Sequence, residues 1–117
     1  MSVQAFTRGE FQQRMKVSPS RMDERIRDRL HMIGIHDFEY QKQYCLLSTV
    51  PEYTFERRRK AFYLDGPVHK GRRLDRDDYL RDLFHRRYGI QPIPIPYRGN
   101  SRREEDRVLN TIKEALK

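Results

Sequence analysis

Three side chains near the middle of the chain have the types and spacing to do chemistry together: Glu52, Asp65 and His69. Glu52 follows Pro51 at the head of a short apolar segment, and Asp65 closes the next one, just before Gly66. Antiparallel strands joined by a turn bring such ends side by side. Two neighbouring carboxylates repel, and a hard divalent cation that prefers oxygen ligands relieves the repulsion. His69 lies four residues beyond Asp65, where a neutral imidazole could take a proton from an attacking water. Each residue also has a plainer reading. Asp65-Gly66-Pro67 is ordinary turn chemistry, Glu52 a solvated charge at a strand end, and His69 a histidine of a surface loop. His31, His36 and His85 show no metal-ligand spacing and are read as structural or surface residues.

The surrounding pattern supplies elements that would position these groups. Residues 1–17 are polar and read as an N-terminal arm outside the core, leaving 18–117 as a single domain. Ser18-Pro19 is a helix start, and Met22, Ile26, Leu30 and Ile33 make one apolar face that Gly34 ends. From Phe38 the period changes to two, and Phe38, Tyr40, Lys42, Tyr44 and Leu46 share one parity of a strand. Ser48-Thr49 breaks it. Tyr53 and Phe55 mark a second strand, Arg57 to Lys60 a charged turn, and Ala61 to Leu64 a third. Asp75 to Tyr88 has helical spacing through Leu80, Leu83, Phe84 and Tyr88. In Ile90 to Tyr97, Pro92, Pro94 and Pro96 alternate with apolar residues. Three missing N–H donors on one side predict an edge strand. Ser101 to Glu104 matches a capping box, and Val108, Leu109, Ile112 and Leu116 give a last helix its apolar face. The order is α-β-β-β-α-β-α, an α/β chain of the α+β type.

Charge narrows the partners. Among 117 residues, 25 Lys and Arg face 17 Asp and Glu, a net +8 that suggests an anionic partner, nucleic acid being the commonest. Six Phe and seven Tyr provide core material that a disordered chain would lack. The single cysteine, Cys45, excludes an internal disulfide framework and a cysteine-based zinc site. No apolar run approaches the roughly 18 residues of a membrane span, and the opening MSVQAFTRGEF lacks the apolar core of a signal peptide. A cytoplasmic protein with no membrane partner is expected. Between positions 57 and 73, Arg57, Arg58, Arg59, Lys60, Lys70, Arg72 and Arg73 stand against Asp65 alone, a basic stretch read as a phosphate-holding rim around the acidic site. The plainer reading of Arg57 to Lys60 is a solvated hairpin tip that discourages edge pairing.

The run Pro51-Glu52-Tyr53 … Tyr63-Leu64-Asp65-Gly66 … His69 resembles the core of the PD-(D/E)XK nuclease superfamily, in particular its very-short-patch-repair (Vsr) endonuclease branch. Glu52-Tyr53 stands where that branch has Asp-Phe. Asp23 and Glu24 stand where it has a helical glutamate supporting the metal site. Asp78 to Asp82, with Arg81, looks like its Asp-x-x-Arg-Asp helix running on to Gly89-Ile90. The likeness covers about residues 18–117. It implies a restriction-endonuclease-like αβββαβ core with a C-terminal helix and a mixed four-stranded sheet. It also implies Mg2+ (or Mn2+) held by Glu52 with the Leu64 carbonyl or the Asp65 carboxylate. His69 would be the base, oriented by Asp75, Asp77 or Asp78. The strict pattern has an acid and a lysine where this chain has Tyr63 and Asp65. Vsr-like enzymes depart at the same strand, using a carbonyl and histidines. Their cysteine-rich zinc site cannot be built here, so no zinc and no mismatch specificity are carried over.

The expected function is thus a metal-dependent endonuclease acting on DNA, double-stranded by preference, with a homodimer where both strands are cut. Two alternatives stay open. One is a nuclease-like module without catalysis that binds DNA or RNA. The other is a small basic structural protein associated with RNA or the ribosome.

Overall fold

The computed structural model describes residues 21–44, 50–66 and 72–117, without the side chains of 72–76. The expected N-terminal arm, the Ser18-Pro19 start and the Ser48-Thr49 break lie outside the described residues, as do His69 and Lys70. Among the described residues, three helices and four strands follow one another: α1 (Met22–Met32), β1 (Glu39–Tyr40), β2 (Tyr53–Phe55), β3 (Lys60–Asp65), α2 (Arg72–Tyr88), β4 (Gln91–Pro96) and α3 (Arg102–Ala115). The sheet is mixed, in the order β1-β2-β3-β4. β1 and β3 run antiparallel to β2, whereas β4 is parallel to β3, from Lys60 opposite Gln91 to Asp65 opposite Pro96. Parallel neighbours need a crossover, and α2 provides it.

Alternation along β2 and β3 builds two cores. Tyr53, Phe55, Phe62 and Leu64 face one way and pack with Met22, Ile26 and Leu30 of α1 and Val108, Leu109 and Ile112 of α3. Ala61 and Tyr63 face the other way and meet Phe84 of α2, Tyr44 and Ile90. The fully buried side chains of Tyr53, Phe55, Phe62 and Phe84 give both layers most of their apolar bulk.

Several element ends differ from the sequence reading, each for a local reason. Ile33 is 48% exposed rather than on the apolar face of α1. Gly34, at φ +89°, turns the chain back, with the Gly34 N–H on the His31 carbonyl and the Ile35 N–H on the Leu30 carbonyl. That paired closure puts Ile35, not Ile33, against the core. The first strand is two residues long instead of nine, because Gln41 adopts φ 51°. The left-handed step breaks the period of two, so Phe38 and Tyr40 pack on the α1 side and Tyr44 on the α2 side. The helix expected from Asp75 already begins at Arg72, since Arg and Leu continue a helix at little cost. At the start of α3, Ser101 Oγ accepts the Glu104 N–H at 3.1 Å, but the Glu104 carboxylate turns to the Arg98 N–H (2.9 Å), so only half of the capping box forms. Ser101→Ala should cost about 1 kcal/mol, read as a lower urea midpoint at unchanged slope.

β4 is the edge strand its prolines predict. The Gln91 and Tyr97 N–H groups reach the Arg59 and Asp65 carbonyls of the β3 side (2.9 and 3.0 Å). Pro92, Pro94 and Pro96, of the opposite parity, therefore turn their missing donors outward, where no further strand can pair. The outward Pro96 carbonyl is taken by Arg107 of α3 at 2.6 Å.

Candidate functional site

Glu52 sits where the β2 ladder is irregular. Tyr53 already pairs with Phe62, yet the Glu52 N–H also reaches the Phe62 carbonyl at 2.9 Å. Two residues of one strand thus oppose one of the other, the arrangement of a β-bulge. The bulge bends the Glu52 side chain toward the end of β3, and its Oε2 accepts the Leu64 N–H at 2.8 Å. Within a strand, N–H and C=O of one residue point to the same side, so the Leu64 carbonyl faces the Glu52 side as well.

The Glu52 carboxyl is pushed up to about 7. Burial is the main cause. The negative charges of Asp23 and then Asp65 add to it, and the Leu64 hydrogen bond offsets only part. A half-buried carboxyl that titrates near neutrality under the influence of two further acids is a place short of positive charge.

Asp23 is held from three sides. Its Oδ2 accepts the Tyr40 hydroxyl at 2.5 Å, Gln41 Nε2 at 2.8 Å and Arg21 Nη2 at 3.3 Å, while its backbone carbonyl accepts the Tyr53 hydroxyl at 2.7 Å. Glu24, the other helical acid, folds back onto Arg21, whose backbone N–H it accepts at 3.3 Å. Of the two, Asp23 is the acid coupled to Glu52.

Asp65 is committed elsewhere. Both of its oxygens accept from the Arg81 guanidinium, Oδ2 at 3.0 Å from Nη1 and Oδ1 from Nη2. Both side chains are largely buried, 12% exposed for Asp65 and 8% for Arg81. Arg81 also lies over the Tyr63 ring, 4.5 Å from its centre. The fork of Arg81 thus fills the carboxylate that the sequence reading left open for a metal. Asp78 is exposed, 4.0 Å from Arg81, and lines an outer groove of about 310 Å³ with Asp82, His85 and Pro92 rather than facing Glu52. Asp77 is half-buried, and the side chain of Asp75 lies outside the described residues.

Tyr97 was not singled out from the sequence. A Cβ at Gly66 would meet its hydroxyl at 3.1 Å, so the missing side chain of Gly66 is what lets the phenol lie against the end of β3. Burial raises the Tyr97 hydroxyl above its ordinary range, and Asp23 and Glu52 raise it further, so the phenol keeps its proton. The alternating prolines pointed to the edge strand but carried no sign of this residue's company.

The basic hairpin is not at this site. Residues 56–59 turn at the Lys60 end of β3, and five strand rises separate Lys60 from Asp65, about 17 Å. The rim expected around the acids therefore does not include Arg57, Arg58, Arg59 or Lys60. Three of these four cap helix C-termini instead. Arg58 Nη1 donates to the Leu116 carbonyl (3.1 Å) and its Nε to Asp37 (3.0 Å), Arg59 donates to the Tyr88 carbonyl (3.3 Å), and Lys60 to the Ala115 carbonyl. Such donors satisfy orphan carbonyls and complement the negative end of a helix.

The three described helices all present their N-termini at the Glu52 end. Asp23 opens α1, α2 follows Asp65, and α3 follows β4, whose Tyr97 N–H bonds the Asp65 carbonyl. The C-termini of α2 and α3 meet the hairpin, which explains why Arg58, Arg59 and Lys60 are wanted there. No protein-family model, curated protein or solved structure matches this chain.

A divalent cation is tested by the donor set. Among the described residues no group of three His, Cys, Asp or Glu side chains converges on one point. Glu52 and Asp23 are nonetheless two acids with oxygen donors at one sheet end, and the charge of Asp23 raises the Glu52 carboxyl. Mg2+ is commonly held by one or two carboxylates, with waters and substrate phosphates completing its shell. Glu52 fits that pattern, and so does Asp23 through its Oδ1, its Oδ2 being taken by Tyr40, Gln41 and Arg21; Asp65, with both oxygens spent on Arg81, does not.

Proposed function

We propose that the chain is a nuclease that hydrolyses phosphodiester bonds of DNA with Mg2+ or Mn2+ at Glu52. The observation that carries this reading is the Glu52 carboxyl at the bulge, raised to about 7 by burial and by Asp23 and Asp65. The αβββαβ order and the mixed sheet, with β4 parallel to β3, support it as the arrangement implied by the resemblance. Glu52 and Asp23 would hold the cation, which when bound would polarise a phosphoryl oxygen and activate a water. The protein's own part is to fix these acids. Tyr40, Gln41 and Tyr53 anchor Asp23, the Leu64 N–H orients Glu52, and the protonated Tyr97 hydroxyl is a donor next to the acids. His69 keeps the role of base that the resemblance gives it.

A second reading has its own support. Tyr63 packs edge-on against Phe84 (6.4 Å between ring centres) and Arg81 occupies Asp65, so the strand that usually carries the acid and the lysine is built here as packing. A module that binds nucleic acid without cutting it would tolerate that replacement. Incubation of supercoiled plasmid with the protein and Mg2+ or Mn2+ separates the two. Nicked circles that disappear with EDTA support the nuclease. Retarded but intact plasmid supports the binding module and rejects the nuclease.

A further inference from the structure

We propose that the DNA-contacting surface is the arginine-bearing rim at the Glu52 end, formed by Arg98 on the β4–α3 connection and Arg103 in the first turn of α3, and not the basic hairpin. This rests on the nuclease or binding reading above and assigns the face that meets the phosphates. Three observations carry it.

The first is the division of labour among the cations. Arg58, Arg59 and Lys60 each give a donor to the end of α2 or α3, so removing them from those carbonyls would leave the helix ends unsatisfied. The second is placement. Tyr97 closes β4 against Asp65, so Arg98 follows directly at the site's end of the sheet, and α3 starts from the same end. The hairpin lies about 17 Å away at the far end of β3.

The third is presentation. Arg25 Nη2 donates to the Asn100 carbonyl at 3.2 Å, and the Arg98 N–H is held by Glu104 at 2.9 Å, so the connection is tied to α1 and α3. Arg98 and Arg103 are exposed from that tied segment. Acids nearby are occupied. Glu104 pairs with Arg107, and Asp106 with Arg29 and Arg102. Glu105 is buried between Arg25 and Arg29. The Arg98 charge also falls on Glu104, which lies at about 2 chiefly through its bonds to Arg107 and the Arg98 N–H. Arg103 has no ion-pair partner among the described residues. Exposed guanidinium groups at the same end of the sheet as an acid pair fit a phosphodiester backbone. The cations grip the flanking phosphates, while the acids and their metal meet the one between.

Binding of a fluorescein-labelled DNA duplex, followed by anisotropy in EDTA over 50–200 mM salt, tests this without requiring cleavage. Arg98→Ala/Arg103→Ala should bind at least about 10-fold more weakly and reduce the salt slope by nearly 2, one for each phosphate left without its arginine. Arg57→Ala, the exposed hairpin arginine without a helix end to cap, should stay within about 2-fold of wild type. Both substitutions are on exposed side chains, and an unchanged urea midpoint checks the fold. The rim is rejected if the double variant binds as wild type does, or if Arg57→Ala produces the larger loss. The nuclease reading fails separately, when wild type binds DNA with the expected salt slope but leaves plasmid intact with Mg2+ and Mn2+.

Discussion

Glu52→Gln is expected to lower metal-dependent nicking by a factor of about 10²–10⁴ while leaving DNA affinity in EDTA unchanged. Glutamine is nearly isosteric, and its amide oxygen can still accept the Leu64 N–H that fixes the side chain at 2.8 Å. What it loses is the negative charge that would hold the cation. The same substitution has a signature that does not depend on activity. The folded carboxyl lies at about 7 against an ordinary 4.5, so between those values the folded chain binds more protons than the unfolded one. Stability of the wild type therefore falls as pH rises through that window, and above it the full cost of the buried charge is present. Glutamine does not titrate. Glu52→Gln should thus match wild type near pH 5 and exceed it near pH 8, by on the order of 1–3 kcal/mol. Urea titrations of both proteins at the two pH values check the sign. A variant less stable than wild type at pH 8 would show that the ionised carboxylate is a net stabiliser and remove the electrostatic basis of the site. Mn2+ should raise the wild-type midpoint at pH 8 more than at pH 5.5, where protons compete, and should leave the variant unmoved.

What the sequence revealed depended on whether a signal was local. The apolar period of α1 and α3, the Gly34 stop and the proline edge of β4 are local patterns, and each is present as read except that Ile35 takes the place of Ile33. The adjacency of Glu52 to the end of β3 also followed from hairpin pairing, and the Leu64 contact realises it. The misreadings share a cause. The left-handed Gln41 reverses strand parity through one dihedral angle that no residue type announces. The basic residues between Arg57 and Arg73 read as one stretch in sequence, but the full length of β3 separates Arg57 to Lys60 from Asp65, so they do not form one rim around it. The partner of Asp65 was invisible for a related reason. Arg81 lies sixteen positions away and reaches it only because α2 crosses back over the sheet. A motif seen as a string gave Arg81 a place in a helix, and only the packing gave it a task.

Arg81→Met should destabilise the fold by about 3–5 kcal/mol, a large share of the roughly 5–15 kcal/mol that holds a domain together. Methionine preserves most of the side chain's bulk, so the loss is electrostatic. Asp65, only 12% exposed, would keep a charge with neither of its two guanidinium bonds. The stacking of the guanidinium on the Tyr63 ring would go as well. Removing both charges tests this account, because a buried pair replaced together is often neutral where a single deletion is not. Asp65→Asn/Arg81→Met should therefore recover most of the urea midpoint that Arg81→Met loses, and a single variant within about 1 kcal/mol of wild type would show that the pair is not desolvated. Activity of the double variant then separates the two roles open to Asp65. If Asp65 is an anchor for α2, nicking returns with stability, since Glu52 and Asp23 are untouched. If it is a cation ligand released from Arg81 during turnover, stability returns and nicking does not. The bidentate geometry and the burial of both partners favour the anchor.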